Sequence, residues 1–231
     1  MNIKILQLID GAKSAIGTTI IIDVFRAFSV EAYMFDAGCE YIYPVGQVDE
    51  AYKMKDEHPE WILAGERNGV IVPGFDTGNA PSALNKLSLN KKTVIHTTSA
   101  GTQGVANAIN AGEILGASLV NARATAEYIR KTCPNDVSLV CMGLAGKTPT
   151  DEDTLCARYI KSILEGNENA IDFSIEIENL KNTSGAKFFD ENQKSVFPTD
   201  DFYLCTDVDK FNFVIRYDSK NGYMYKQDLF D

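Results

Sequence analysis

The chain has 231 residues, of which 45% are hydrophobic and 23% are charged, values that are typical of a folded globular protein and exclude disordered and fibrous classes. Its formal net charge of −10 opposes binding to nucleic acid and to anionic membranes, since no run of lysine or arginine compensates for it. The five cysteines are scattered and odd in number, which favours neither a disulfide framework nor a zinc site. No window approaches a membrane span and no segment resembles a signal peptide, so we expect a cytoplasmic enzyme.

Short apolar runs alternate with helix-like segments along the first 170 residues. Such alternation predicts a mostly parallel sheet that is covered by helices on both faces. Strands are predicted at residues 3–9, 18–22, 40–45, 61–64, 92–97, 114–120 and 136–142. Helices are predicted at residues 27–37, 48–57, 101–111, 122–132 and 154–164, with a short one that starts at Pro81 and loops at 10–17 and 65–79.

The last part of the sequence differs from this series. A helix-like piece follows Asp172, and short aromatic strands come after it. Asn221-Gly222 between two such strands is typical of a β-hairpin turn. We therefore expect one domain, residues 1–231, with a βα series over 1–170 and a β-rich C-terminal extension over 171–231 that packs on the sheet or completes an edge.

Ionisable side chains follow several predicted strands. Asp23 and Arg26 come after the apolar run 18–22, and Glu66 and Arg67 come after the strand at 61–64. Because the carboxyl ends of parallel strands share one edge of a sheet, we expect these groups to converge on one crevice. The alternative is structural, with Asp23 capping the next helix and Arg26 paired with a surface acid.

Two loops indicate how this crevice would bind an anion. The segment 97–102 places four hydroxyl groups and a glycine at a helix start, where N–H groups and hydroxyls favour anions. The alternative is a simple helix cap, which would need only one of these hydroxyls. The loop 65–81 is long and rich in Gly and Pro, and loops of this kind are more often functional than not, the alternative being a surface loop made of turns. In it, Arg67 suits a phosphate or sulfonate, and Glu66 or Asp76 suits a metal ion or a role as base.

Other catalytic motifs are excluded. The run 143–148 resembles a P-loop, but the required first glycine is replaced by Cys141, and a cysteine phosphatase would need arginine at Lys147. Of the two histidines, His58 is expected to face solvent and His96 to be a satisfied core residue. Carboxylates with a metal ion are therefore the leading chemistry.

Four separated motifs resemble, in the same order, the 2-phosphosulfolactate phosphatase (ComB) family. They lie at residues 22–27, at 65–69 with 74–81, at 97–102 and at 152–153, and the segment 197–202 is also similar. The resemblance implies a magnesium-dependent phosphomonoesterase of coenzyme M biosynthesis that converts 2-phosphosulfolactate to sulfolactate and phosphate on a ComB-like three-layer α/β/α fold. The sequence departs from the family pattern at Phe28, at Ser99-Ala100 and at 141–143, and we expect these changes to affect the choice of substrate rather than the fold.

The expected site combines a cation with a small anionic phosphorylated substrate. Mg²⁺ would be bound by Asp23, Glu66 and Asp153, with Asp76 and Glu152 as alternates, and an aspartyl-phosphate route is disfavoured because Phe25 replaces its second aspartate. The expected catalytic residues are Asp23, Arg26, Glu66, Arg67 and Asp153. The expected substrate-binding residues are Arg26, Arg67, Asn79, Thr97, Thr98, Ser99, Gly101 and Thr102. Two alternatives remain open: a diverged phosphatase for another small phosphorylated hydroxy acid, and a non-catalytic anion-binding relative; a homo-oligomer is compatible with either.

Overall fold

The structure, a computed structural model, describes residues 1–229. Ten strands form one sheet flanked by helices, which confirms the expected α/β class with a mostly parallel, mixed sheet. The strands are β1 (Asn2–Gln7), β2 (Gly17–Ile22), β3 (Tyr41–Pro44), β4 (Ile62–Arg67), β5 (Val70–Ile71), β6 (Thr93–Thr97), β7 (Ala111–Ala117), β8 (Asp136–Cys141), β9 (Phe213–Asp218) and β10 (Tyr223–Asp228).

Helices cover both faces of the sheet. The apolar side chains of α5 and α6 pack on one face, while those of α1, α2 and α4 pack on the other. The helices are α1 (Leu8–Ser14), α2 (Ala27–Asp36), α3 (Val48–Glu57), α4 (Gly101–Asn107), α5 (Ala122–Thr132), α6 (Asp151–Leu164), α7 (Phe173–Leu180) and α8 (Thr199–Cys205), with 3-10 turns at Pro81–Lys86, Leu119–Asn121, Ala186–Phe189 and Glu191–Gln193.

The sheet consists of two parallel groups joined by an antiparallel hairpin. Its strand order is β1-β8-β2-β7-β9-β10-β3-β6-β4-β5. β1, β8, β2 and β7 are parallel to one another, as are β3, β6 and β4. The hairpin β9–β10 pairs antiparallel with β7 on one side and with β3 on the other. The expectation that this hairpin lies on the sheet or at its edge is wrong, because it occupies the centre.

Because the hairpin lies between the two parallel groups, the carboxyl ends of their strands do not share one edge of the sheet. Three antiparallel pairings separate β7 from β3, so in a flat sheet the carboxyl ends of β2 and β6 would lie at opposite edges, on the order of 24 Å apart. In the structure, a Cβ atom on Gly101, after β6, would be 3.0 Å from Oδ2 of Asp23, after β2. Twist alone would leave this lateral spacing unchanged, so the sheet must also curl across its central hairpin for the two ends to meet. The convergence is observed, but a single parallel edge is not its cause.

The ends of α4, β7 and α6 differ from their predicted positions by three or four residues, and three other predicted segments differ in kind. The strand predicted at 3–9 ends at Gln7 and is followed by α1, because Gly11 lets this helix approach β1 until a Cβ atom would lie 3.1 Å from Leu6. The loop 65–79 contains the end of β4 and the short strand β5. In the C-terminal extension, two helices and two 3-10 turns precede the expected strands.

Phe28 belongs to the core and not to a ligand site. Eight of the ten residues of α2 are buried, and Phe28 has 0% exposure. Its ring lies against β7 at Gly116, where a Cβ atom would overlap it. The expectation that Phe28 affects the choice of substrate is therefore not supported, because its side chain fills space that a glycine leaves on the neighbouring strand.

No helix within residues 1–229 is both long enough and apolar enough to cross a bilayer.

Since Phe28 and Gly116 fill one space, their substitutions should be coupled. Phe28→Ala is expected to lower the free energy of unfolding by about 3–5 kcal/mol because it opens a cavity in a close-packed core. Gly116→Ala should destabilise the wild-type chain, because the added methyl group would overlap the Phe28 ring. The same substitution should lower the free energy of unfolding less when Phe28 is already alanine. Urea unfolding of the two single variants and the double variant measures this coupling. Strictly additive changes would contradict the packing described here.

Candidate active site

A cavity of about 330 Å³ lies where the loops after β2, β6 and β8 meet the end of β4. Three carboxylates line it, Asp23, Glu66 and Glu152, together with two cations, Arg26 and Lys187. The lining therefore carries more acidic than basic groups. Buried carboxylates of this kind are costly unless hydrogen bonds or a cation compensate them, so the partners of each one indicate its role.

Asp153 holds two site loops together. Its Oδ1 accepts a hydrogen bond from Val24 N (2.8 Å) and its Oδ2 accepts one from Gly143 N (2.7 Å). These bonds join the loop after β2 to the loop after β8. Burial and the nearby charges of Glu152 and Asp23 raise the pKa of Asp153, while the two backbone donors act against that rise. Both oxygens are already engaged, which is the geometry of a loop clamp.

Glu66 makes the corresponding connection on the other side of the cavity. Its Oε1 accepts from Ser99 N (2.7 Å), and its Oε2 accepts from Gly69 N (2.6 Å) and from the Ser99 hydroxyl (3.1 Å). The carboxylate thus fixes the turn between β4 and β5 against the loop before α4. Glu66 lines the cavity, but its oxygens are compensated by protein donors.

Asp23 and Glu152 retain oxygens without a protein donor. Asp23 Oδ1 accepts from Ala27 N (3.1 Å) at the start of α2, so the capping role considered from the sequence is present. Within residues 1–229, its Oδ2 accepts no hydrogen bond, and Glu152 Oε2 is buried without a partner. Burial raises the pKa of Asp23 to about 6, helped by the charges of Glu66 and Glu152, and burial likewise raises the pKa of Glu152. These two carboxylates are the least compensated of the four, although the charge of Lys187 lowers the pKa of both and the hydroxyls of Ser184 and Thr150 lower that of Glu152.

The expected metal-binding set of Asp23, Glu66 and Asp153 does not appear as a ready-made cluster. No group of three or more His, Cys, Asp or Glu side chains in the described part of the chain is arranged to hold a metal ion. The alternate Asp76 lies outside the cavity, where its 42% exposed carboxylate accepts from Leu63 N (2.8 Å) and pairs with Lys55 at 3.5 Å. Asp76 therefore anchors a loop, and the other alternate, Glu152, faces the cavity.

Arg26 is a buried cation on the cavity wall. Its Nη1 donates to Asp201 Oδ2 (2.7 Å) and to Val196 O (2.9 Å), and its guanidinium lies 4.9 Å from the ring centre of Phe197. The ion pair considered as the alternative is present, but it does not lie on the surface. The side chains of Arg26 and Asp201 are only 3% and 0% exposed. Among the described residues, Nε and Nη2 of Arg26 donate no hydrogen bond, which leaves them for a ligand.

Lys187 is a site residue that the sequence reasoning missed. Its ammonium lies 5.2 Å from the ring centre of Phe197 and 5.7 Å from that of Phe25, and it lines the cavity. Within the described chain it forms no ion pair. It comes from the 3-10 turn Ala186–Phe189 of the extension, and the only sequence signal is a lysine next to two phenylalanines, which by itself does not indicate a ligand site.

Arg67 lies beside the cavity rather than in it. Its guanidinium donates to Glu66 O (2.7 Å), Gly46 O (3.0 Å) and Thr97 Oγ1 (2.8 Å). It lines a neighbouring cavity of about 420 Å³ together with Lys147. The direct role in phosphate or sulfonate binding that was expected for Arg67 is thus not supported by its position.

The hydroxyl-rich loop 97–102 mostly stabilises itself. Thr98 Oγ1 accepts from Thr102 N (3.1 Å), and Thr102 Oγ1 accepts from Thr98 N (2.9 Å), a reciprocal cap of α4. With Thr97 accepting from Arg67 and Ser99 donating to Glu66, all four hydroxyls are used within the protein. Ser99 lines the cavity. Gly101 has no side chain, and this makes room for Asp23 and Ala27, which a Cβ atom at this position would contact too closely. The structural alternative therefore describes this loop better than anion binding by its hydroxyls.

Asn79 and the loop after β8 complete the cavity wall. Asn79, expected to bind substrate, is 6% exposed and lines the cavity. The rejected P-loop-like run also reaches it, through Gly143, Leu144 and Ala145. Cys141 is fully buried at the end of β8, and burial raises the pKa of its thiol, so the expected lining or core role is a core role.

An α/β fold with buried acids, an arginine and a lysine around one cavity is compatible with an enzyme that acts on a small anion. The family model described as 2-phosphosulpholactate phosphatase matches residues 3–220. A probable 2-phosphosulfolactate phosphatase of Bacillus subtilis (strain 168) is 34% identical over 199 residues, which cover 85% of each chain. A protein of Carboxydothermus hydrogenoformans with the same description is 37% identical over 165 residues, covering 71% of this chain and 68% of the relative. The chain belongs to the 2-phosphosulfolactate phosphatase family, and so to the phosphoric monoester hydrolases.

The raised pKa of Asp23 predicts a stability that depends on pH. A folded-state value of about 6, against an ordinary value of 3.8, means that the folded chain holds this proton more tightly than the unfolded chain. The resulting stabilisation is complete below about pH 4 and is lost as the pH rises through about 6. In metal-free buffer, Asp23→Asn should be more stable than wild type by roughly 3 kcal/mol at pH 8, and by little at pH 4. Urea unfolding from pH 4 to 8 measures this, with Asp76→Asn as control; a difference that does not vary with pH would contradict it.

Lys187 should contribute to anion affinity. Lys187→Met is expected to raise the KM for a phosphorylated substrate about tenfold or more, because it removes one of the two positive charges that line the cavity. Lys194→Met is the matched control, since Lys194 is an exposed lysine of the same extension that pairs with Glu191. Steady-state phosphate release gives both values. Equal KM values for the two variants would exclude Lys187 from the site.

Proposed function

We propose that this protein hydrolyses the phosphomonoester of 2-phosphosulfolactate to sulfolactate and phosphate, and that the reaction depends on Mg²⁺. Water supplies the oxygen that phosphorus gains, and the bond between phosphorus and the oxygen of the hydroxy acid breaks. The observation that carries the proposal is the cavity itself, in which the least compensated carboxylates lie beside an arginine and a lysine. The names of the relatives support the choice of substrate.

The chemistry of the free oxygens supports a magnesium ion. Asp23 Oδ2 and Glu152 Oε2 are hard oxygen donors without protein partners among residues 1–229. Mg²⁺ in phosphoryl-transfer sites usually takes one or two carboxylates and completes its shell with waters and substrate oxygens. We therefore assign these two residues to the metal and assign Glu66 and Asp153 to holding the loops in place. When bound, the ion would polarise the phosphoryl group and neutralise charge on it.

The cationic side chains support binding of the anion. Arg26 lines the cavity and is held by Asp201 through Nη1, which leaves Nε and Nη2 without an acceptor among the described residues, and Lys187 adds a second positive charge. Phe25 and Phe197 add apolar surface to the same space, which lowers the local dielectric constant and strengthens each electrostatic contact. We assign Arg26 and Lys187 to the phosphate and acid groups of the substrate. A cation is needed besides them, because a small polyanion would otherwise face three carboxylates with only two compensating charges.

Phosphate release from the purified protein tests the substrate. Release from 2-phosphosulfolactate should exceed release from 2-phospholactate, which lacks the sulfonate, by at least tenfold in kcat/KM. Equal values for the two would favour the alternative of a phosphatase for other small hydroxy acids. Tight binding of sulfolactate without turnover of either ester would favour a non-catalytic anion-binding protein.

Chelation and substitution test the metal. Activity should be lost after exhaustive chelation and return with Mg²⁺. Glu152→Gln and Asp23→Asn should each lower kcat by at least 100-fold and raise the Mg²⁺ concentration needed for half-maximal activity. Asp76→Asn is the matched control, because Asp76 lies outside the cavity. Undiminished activity of the chelated wild-type protein would overturn the metal assignment.

A further inference from the structure

A buried chain of three polar side chains lies behind the cavity wall. Glu31 of α2 and His96 of β6 are both 0% exposed, and Asn79 lies between His96 and the cavity. His96 Nδ1 lies 2.9 Å from Glu31 Oε1, and His96 Nε2 lies 3.2 Å from Asn79 Oδ1. The site described above uses neither Glu31 nor His96.

The burial of Glu31 determines where the protons of this chain lie. Its Oε2 has no partner within residues 1–229, and burial raises its pKa while the hydrogen bond and charge of His96 oppose the rise. A carboxylate charge that nothing neutralises would be costly here, so the pair keeps both of its protons and is neutral overall. A proton on Oε2 would have no acceptor within residues 1–229, which leaves two forms: a carboxylate with an imidazolium, or a carboxylic acid protonated at Oε1 with a neutral imidazole that accepts at Nδ1. In both forms His96 Nε2 carries a proton.

A proton on Nε2 fixes the orientation of the Asn79 amide. The Nε2–H group donates to Asn79 Oδ1, so the carbonyl oxygen is held away from the cavity. The amide NH₂ group makes no hydrogen bond to another described residue and is not among the buried polar atoms without partners, so it faces the open space that Asn79 lines. The opposite orientation would turn a carbonyl oxygen toward an anionic ligand, which it would repel.

We propose that Glu31 and His96 are positioning residues that hold the Asn79 amide with its NH₂ group toward the cavity, where it donates to a phosphoryl or sulfonate oxygen of the substrate. The identity of that anion rests on the proposed function. The hydrogen-bond chain itself rests only on the burial and distances of three side chains. Asn79 touches the substrate in this account, whereas Glu31 and His96 act through it.

A double-mutant cycle tests the coupling. Asn79→Ala and His96→Leu should each raise the KM for 2-phosphosulfolactate about tenfold, with smaller changes in kcat, and the double variant should match Asn79→Ala. Glu31→Gln should change KM less than threefold, because the glutamine NH₂ can donate to Nδ1 and leave the proton on Nε2. Thr19→Val, which alters a buried polar residue of β2 away from the cavity, controls for damage to the core. If the KM of the double variant rose by the product of the two single effects, the two residues would act independently and the proposal would be overturned.

A second variant keeps the proposal testable if His96→Leu does not fold. Asn79→Asp can still accept from Nε2–H, but it presents an oxygen instead of NH₂, so its KM should exceed that of Asn79→Ala. An unchanged or lower KM would show that the NH₂ group does not meet the anion.

Nitrogen-15 NMR of the His96 ring tests the hydrogen-bond chain without turnover. The proposal requires a protonated Nε2 in the wild-type protein, and an unprotonated Nε2 would overturn it. If the wild-type protein releases no phosphate while Nε2 is protonated, the proposed function fails but the arrangement of the chain stands.

Discussion

Four carboxyl groups are buried around one cavity, and the organisation of the site follows from how each is compensated. Asp153 and Glu66 accept two and three hydrogen bonds from neighbouring loops, respectively, so their charge is used to join those loops. Asp23 has one backbone donor, and Glu152 keeps a buried oxygen with none in the described chain. A fold optimised for stability alone would not leave two such groups side by side, since burying a charge costs several kcal/mol. A bound cation is the simplest compensation, and it also suits an anionic substrate.

The C-terminal extension contributes to both the sheet and the site. Its hairpin joins two parallel groups of strands that would otherwise have no common sheet. Its earlier part supplies Lys187 and Phe197 to the cavity, and it supplies Asp201 to hold Arg26. The side chain of Asp201 also accepts from Ser82 N (3.0 Å), so one carboxylate ties the extension to the turn next to Asn79. Closure of the cavity and completion of the sheet are thus linked through the same sixty residues.

Local signals in the sequence were sufficient for much of the fold and for part of the site. Apolar runs that alternate with helix-like segments predicted α3 and α5 to the residue, and the acids that follow strands singled out Asp23 and Glu66, with Glu152 named only as an alternate to Asp153. Long-range pairing could not be predicted, because nothing in Asn221-Gly222 tells whether a hairpin lies at an edge or in the centre of a sheet. The roles within the site also depended on geometry: Asp153 and Glu152 are adjacent on α6, yet one faces two backbone donors and the other faces the cavity. Lys187 gave no signal because its role comes only from where the extension folds.

A crystal structure obtained with Mn²⁺, which accepts the same hard oxygen ligands as Mg²⁺ and scatters anomalously, tests the central claim most directly. We expect one anomalous peak in the cavity, bound by Asp23 Oδ2 and Glu152 Oε2, with Glu66 and Asp153 still hydrogen-bonded to their backbone donors. A peak bound by Glu66 or Asp153, or a cavity without a peak at saturating Mn²⁺, would contradict it.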